Sequence, residues 1–352
     1  MSPSTPDSSV TATLNPPLDG VFSTENTNPP VVPPVSRVGV VGCGNWGKNL
    51  IRNFHHLGAL AVVCDLNPSL LEAQARQFPD VAAVDTFEAL LKHPELDGVV
   101  IATPSHTHAR LALAALAAHK HVYVEKPLAT SVAEAEAIQQ MAVAQNRHLM
   151  VGHLLLYHPA AHRLRQLVQE GVLGEIRSLE SDRLNYNPHR PDSSVLWDLA
   201  PHDISLMAYV LGADPEQALL ATGQCTGTDQ RVDDAHLEVA FPNGIRGHVH
   251  VSWVHPVKQV KLVVRGSRRL AVLDDTLSTE KLQLFEREDR SPESVLSFPE
   301  YLTIEPLKLE CQHFLNCIRH NRAPRTDGRN GIRVVQILEQ AHQLLSRSDR
   351  SL

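Results

Sequence analysis

The sequence contains no apolar run approaching the ~20 residues needed to cross a bilayer, which argues against a helical membrane protein and a membrane partner. It has no excess of positive charge: 32 Lys and Arg face 39 Asp and Glu, a net charge of -7. No basic field exists to release counterions from a phosphate backbone, so nucleic acid is not an expected partner. Cysteine is scarce. Cys43, Cys64, Cys225, Cys311 and Cys317 are odd in number, scattered and free of any Cys-x-x-Cys spacing, which describes neither a disulfide framework nor a zinc site and fits a reducing cytoplasm. His-Glu-x-x-His and similar ligand spacings are missing despite 20 histidines.

What is present is enough for two domains: 352 residues, 43% of them hydrophobic, at roughly 150 residues per domain. Residues 1 to 36 hold eight prolines and eleven Ser or Thr with no Lys or Arg, and read as a disordered leader. That composition matches neither a secretory signal nor an Arg-rich transit peptide. From residue 37 short β-branched runs alternate with helical stretches, the pattern of βαβ units on a parallel sheet. Strands are expected at 38–41, 59–64, 98–102 and 122–124, with helices at 48–57, 69–78, 107–118 and 131–145, the last opened by Ser131 and Glu134 at capping-box spacing. This is a doubly wound, dinucleotide-binding α/β domain over 37–153.

A helix at 159–170 leads into longer, nearly alternating strands at 176–186, 219–226, 236–241, 247–254, 260–265 and 270–274, with Pro242-Asn243-Gly244 as a hairpin turn. These form a second α+β domain over 154–346 with a large open, mostly antiparallel sheet, followed by a short tail at 347–352. Helices at 199–211, 307–320 and 330–346 are few for covering such a sheet, so one face is expected to meet a second copy of the chain. His248 and His250 share a strand face at metal-compatible spacing, but no third ligand is in sight and no metal is expected.

The strongest motif is Gly42-Cys-Gly-Asn-Trp-Gly47, a GxGxxG directly after a strand and opening a helix. Gly42 permits the tight turn, Gly44 lets the backbone approach a pyrophosphate at the helix N-terminus, and Gly47 allows close helix–strand packing. Asn45 and Trp46 complete the cofactor loop, although Cys43 and Trp46 also read as packing residues. Asp65 stands 18 residues after Gly47 at the end of the second strand, where a carboxylate accepts hydrogen bonds from the ribose hydroxyls. It would repel a 2′-phosphate, and no cation follows before Arg76, so NAD is favoured over NADP.

Ala102-Thr-Pro-Ser-His-Thr-His108, Glu125-Lys-Pro127 and Trp197-Asp-Leu-Ala-Pro-His-Asp203, together with the glycine loop, resemble the Gfo/Idh/MocA oxidoreductases across residues 37 to 346. The resemblance implies a Rossmann domain, a C-terminal α+β domain and pyridine-nucleotide chemistry on a sugar or polyol carbon, often with a cis peptide before the proline of the EKP motif. Thr103, Pro104, His106, Glu125 and Lys126 fall at the carboxyl ends of parallel strands, where doubly wound folds bind ligands, and join the cofactor set. For His106 and His108 a helix-start role is the alternative reading.

Lys126 could donate to a substrate oxygen as charge develops on it. Asp198 and His202, four apart at the start of a helix, lie on one face, although Asp198 could instead be an N-cap with Pro201 in the first turn. The family's D-x-x-x-H pattern implies that both line the substrate site, His202 as base and Asp198 as its orienting partner. Here Ala200 stands where that pattern often has glycine. Asp203 reads as a helix-start charge. Which of Lys126 and His202 accepts the proton stays open at this point.

The stretch 152–159, with Asp182-Arg-Leu-Asn185 and Arg190, most resembles the branch acting on nucleotide-linked sugars such as UDP-N-acetylglucosamine 3-dehydrogenases. Arg183 and Asn185 share a strand face and, with Arg190, are candidate contacts to sugar hydroxyls or a diphosphate. The expectation is an NAD-dependent dehydrogenase of a secondary hydroxyl. Its rivals are a dehydrogenase of a free polyol or hexose and a non-catalytic NAD-sensing protein.

Overall fold

The computed structural model describes residues 36–187, 193–226, 231–286 and 295–348. The leader and the tail beyond 348 therefore lie outside the described residues, as does Arg190.

Alternation begins at β1 (Val38–Val41), α1 (Gly47–His56), β2 (Leu60–Cys64), α2 (Pro68–Gln77), β3 (Ala82–Val84), α3 (Phe87–Leu91) and β4 (Gly98–Ile101). It continues through α4 (His108–Ala117), β5 (His121–Glu125), α5 (Val132–Ala144) and β6 (Leu149–Gly152). The strands form one parallel sheet in the order β3-β2-β1-β4-β5-β6, the doubly wound arrangement with its switch point between β1 and β4. β1, β2, β4 and β6 are buried at every residue, as expected of strands covered on both faces. The sequence reading lacks β3, α3 and β6. β3 is a three-residue Ala-Ala-Val edge strand with exposed alanines, too short and too weakly apolar to show a period.

Ser131 caps α5 by accepting from the Glu134 N–H, but Glu134 reaches back to the N–H and hydroxyl of Thr130, one residue before the expected box partner.

The second half runs α6 (Pro159–Gln169), β7 (Ile176–Tyr186), α7 (Val195–Leu211), β8 (Gln217–Gln224), β9 (Asp234–Ala240), β10 (Arg246–Ser252), β11 (Val254–Gly266) and β12 (Arg269–Asp274). Then come β13 (Leu282–Glu286), β14 (Val295–Ser297), α8 (Pro306–His320) and α9 (Gly328–Ser348). Eight strands form the order β14-β13-β12-β11-β7-β10-β9-β8, antiparallel except where β10 runs alongside β7. Asn243 and Gly244, both with positive φ, turn β9 into β10. β11 starts earlier than its sequence suggests, because a register shift between Val254 and Gln259 accommodates Pro256.

One face of this sheet is core. Leu179, Leu237, Val239, Val249, Val251, Leu262 and Val264 pack with α6, α7 and α9 through Leu164, Ile204, Met207, Val210 and Leu338. α8 does not share this work: Cys311, Phe314 and Leu315 pack with Val38 and Val40 of β1 and Leu50 and Phe54 of α1. The chain thus returns to its first domain before α9 spans both cores, through Val335 in one and Val334 and Leu338 in the other.

Candidate active site

The loop after β1 has the form a dinucleotide requires. Gly42 has φ +94°, and a Cβ there would collide with the Ala102 carbonyl, while one at Gly47 would collide with the Gly42 carbonyl. At Gly44 a Cβ would meet nothing within 4 Å, leaving the open approach a pyrophosphate needs. No side chain caps α1, although the Lys48 and Asn49 amides of its first turn donate to the Gly44 and Trp46 carbonyls. Asp65 is held at the end of β2: Oδ2 accepts the Cys43 N–H at 2.6 Å and Oδ1 the Asn67 N–H at 2.8 Å. Further lone pairs on each oxygen are there for ribose hydroxyls. Turn, space and acidic partner fit NAD.

Trp46, partly exposed on this loop, donates its indole N–H to Glu125 Oε1 at 2.6 Å, and the buried Tyr123 hydroxyl donates to the same oxygen at 3.0 Å. Burial raises the Glu125 carboxyl, against the lowering effects of Trp46 and Lys126. Glu310 of α8, wholly buried nearby, is raised well above the usual carboxylate range by burial and by Glu125. Two carboxyls that close favour keeping a proton on at least one. Trp46 therefore tethers the glycine loop to the end of β5, which makes it more than a packing residue.

The Lys126–Pro127 peptide is cis, as the family resemblance implies. Lys126 leaves the end of β5 and donates to the Asp198 backbone carbonyl at 2.7 Å and to Asp198 Oδ1 at 3.1 Å. Asp198 is buried, and its Oδ2 accepts the indole N–H of buried Trp253 at 3.3 Å. Residues 126, 198 and 253 thus bring together the end of β5, helix α7 and the junction of β10 with β11. His202 lies one turn beyond Asp198 on the same helix face.

Asp198 is not an N-cap: α7 begins at Val195 with Ser194 before it, and Pro201 falls inside the helix rather than in its first turn. Proline there removes one intrahelical donor.

Asp203 departs most from its sequence reading. It lies deep in α7, 1% exposed, and accepts the Ser181 hydroxyl at 2.7 Å and the Arg183 guanidinium at 2.9 and 3.0 Å. Arg183, expected at a substrate, is instead spent on this buried ion pair. Its neighbour in alternation, Asn185, keeps a buried Oδ1 with no hydrogen-bond partner. Thr103 bonds Thr107 at 2.6 Å, and His106 is exposed beyond Pro104. His108 is buried between the carbonyls of Thr103 and Pro127, at 2.9 and 2.8 Å, and braces the ends of β4 and β5.

Sequence reasoning missed His153. It follows β6, is 2% exposed, and neither ring nitrogen has a hydrogen-bond partner. Burial and the Lys126 charge hold its imidazole down at about 3, so it is neutral at physiological pH. The available signal was its place just past a strand end, lost because β6 itself was not recognised. The buried indole of Trp253 had no signal at all.

A model described as "Oxidoreductase family, NAD-binding Rossmann fold" matches residues 36–153, and a "GFO/IDH/MocA C-terminal domain" model matches 161–272. The chain is 31% identical over 316 residues to a UDP-N-acetylglucosamine 3-dehydrogenase of Acidithiobacillus ferrooxidans, covering 85% of this chain and 94% of that one. A solved structure of that enzyme superposes with a TM-score of 0.78 at 28% identity, over 88% of this chain and 98% of the other. A levoglucosan dehydrogenase solved with NADH and levoglucosan shares the fold at a TM-score of 0.77 and 22% identity, over 88% and 97% of the two chains. With both halves matched and the cofactor loop intact, the chain belongs to the Gfo/Idh/MocA oxidoreductases, whose first domain is the NAD-binding Rossmann fold.

Proposed function

We propose that the protein is an NAD-dependent dehydrogenase that oxidises a secondary hydroxyl of a nucleotide-linked sugar, C3 of a UDP-linked amino sugar. The observation that carries this reading is the bond from Lys126 to Asp198, which joins the carboxyl end of the parallel sheet to the second domain's central helix. The choice of sugar rests on likeness to the UDP-N-acetylglucosamine 3-dehydrogenase.

Bound NAD supplies the hydride acceptor. Lys126 holds the reacting oxygen with its ammonium, and Asp198 and Trp253 fix where that ammonium points. His202 takes the hydroxyl proton as the carbonyl forms. His153, buried close enough to feel the Lys126 charge, serves as a neutral hydrogen-bonding group, and Asn185 offers its unused oxygen to a sugar hydroxyl. Arg190 remains the candidate clamp for the diphosphate; Arg183 does not. The reading includes a cytoplasmic setting, supported by five free cysteines, Cys225 exposed among them. It also includes self-association through the uncovered face of the second sheet, where Leu220 is about half exposed; sedimentation velocity tests that part.

The test is NADH formation from UDP-N-acetylglucosamine, UDP-glucose, free N-acetylglucosamine and myo-inositol. The UDP-linked amino sugar should turn over fastest, and Lys126→Ala should abolish turnover while NAD still binds. Faster turnover of a free sugar or inositol overturns the substrate, and retained turnover in the variant overturns the role of Lys126.

A further inference from the structure

On the face of the second sheet turned away from α7, side chains from three adjacent strands converge. His236 of β9 stands directly opposite His250 of β10, and His250 stands beside Asp182 of β7. Asp234 precedes His236 by two residues, so alternation puts both on this face. The two imidazoles stack with centroids 3.9 Å apart at 16°. Both Asp234 oxygens lie 3.3 Å from His250 Nε2, and Oδ1 lies 3.8 Å from His236 Nε2. One ligand atom from each residue falls within 4.8 Å of the other two. His248, which the sequence spacing sets beside His250 and for which no metal was expected, is one alternation away and faces Glu238 and Glu180 instead.

We propose that Asp234, His236 and His250 form a binding site for a divalent transition-metal ion, with Zn²⁺ as the ion the set suits. Two imidazoles and one carboxylate are ordinary zinc ligands, and a solvent oxygen, held between this face and the second copy proposed to meet it, completes a tetrahedron. Bonds of about 2.0–2.2 Å place tetrahedral donors roughly 3.3–3.5 Å apart. His250 and Asp234 already have that separation. His236, with its side chain 60% exposed, can turn its ring from the stack toward the same point.

Asp182 Oδ1 lies 3.9 Å from His250 Nδ1, the nitrogen not facing Asp234, a charge contact that must close by about 1 Å to fix the tautomer with Nε2 as the ligand. Lys261, opposite Asp182, turns its ammonium to Asp274 at 3.3 Å, while Arg246 pairs with Glu238 and Arg265 with Glu180. The site lies across the sheet from Lys126 and Asp198, so the ion would cross-link β9 and β10 and take no part in the redox chemistry.

The experiment uses the full chain carrying Cys225→Ser, stripped with EDTA, dialysed and titrated with ZnCl₂ by calorimetry, with bound zinc counted by mass spectrometry. The expected result is about one Zn²⁺ per chain. His236→Ala and His250→Ala should each weaken binding by more than tenfold, Asp182→Asn by about tenfold, and His248→Ala should leave it unchanged. Circular dichroism compared with the stripped parent checks that each variant is folded, and Co²⁺ in place of Zn²⁺ should give a tetrahedral visible spectrum lost in His250→Ala. No zinc retained, or equal affinity in the parent and His250→Ala, overturns the site.

Discussion

Truncating Arg183 should damage stability far more than substrate recognition, the opposite of what its sequence position suggests. Its Nε and Nη2 donate to the two oxygens of Asp203 at 2.9 and 3.0 Å, and the side chains are 14% and 1% exposed. Removing the guanidinium leaves a carboxylate deep in α7 with the Ser181 hydroxyl as its remaining described partner. Orphaning one member of a buried pair costs about 3–5 kcal/mol. At ~2–4 °C per kcal/mol for a domain of this size, Arg183→Ala should melt roughly 6–20 °C below the parent. Replacing the whole pair by apolar side chains of similar volume, Arg183→Met with Asp203→Leu, removes the stranded charge and should recover much of that loss. Thermal melts and urea midpoints, read beside KM for the UDP-sugar, are the assay. An Arg183→Ala protein melting within about 2 °C of the parent with a steeply raised KM would refute the structural role and return the residue to the substrate.

The glycine loop separates two failures. Gly47→Ala should lower the melting temperature, since overpacking costs about 1–3 kcal/mol or more, whereas Gly44→Ala should melt normally and lose NADH affinity in a fluorescence titration. Asp65→Ala removes charged hydrogen bonds to the ribose worth about 1.5–3 kcal/mol, and should raise the NAD Kd roughly 10- to 100-fold while narrowing discrimination against NADP. Stability should also fall with acid. His153 is held at about 3 when folded against ~6.5 unfolded, so between those values the unfolded chain binds the extra proton. Its contribution is intact above pH 6.5, declines as pH falls toward 3, and amounts to about 4–5 kcal/mol at most. Urea midpoints from pH 7 to 4 should drop less steeply in His153→Phe; parallel slopes would sink this account.

Much of the first domain was legible because its signals are local. A GxGxxG between a strand and a helix works through the φ and free space of three positions in one loop, and Asp65 follows at a distance set by one βαβ unit. The edge strand β3 and the short β6 escaped because Ala-Ala-Val and Leu-Met-Val-Gly hold one β-branched residue each, where the equally short β1 and β4 hold three. Missing β6 hid His153. The long strands β7 to β12 were visible through alternation, and the turn at Asn243 and Gly244 through its residues.

Side-chain partnership was another matter. Arg183 and Asn185 are indistinguishable by pattern, yet one is consumed by Asp203 and the other keeps a buried oxygen unused. The helix carrying Asp198 starts four residues earlier than its sequence reading, turning a possible cap into a buried acceptor for Lys126. α8 has the same amphipathic character whichever sheet it covers, and only packing assigns it to the first. His250 meets His236 and Asp234 rather than His248, because strand register joins residues 14 and 16 positions apart while chain spacing joins the wrong pair. Backbone conformation, burial pattern and the cofactor loop follow from short-range sterics and periodicity, and the chain order alone specifies them. Which charges neutralise one another, which polar atoms remain for a ligand, and which residues of the two domains meet depend on contacts between distant segments, and those were decided when the helices packed the two halves together.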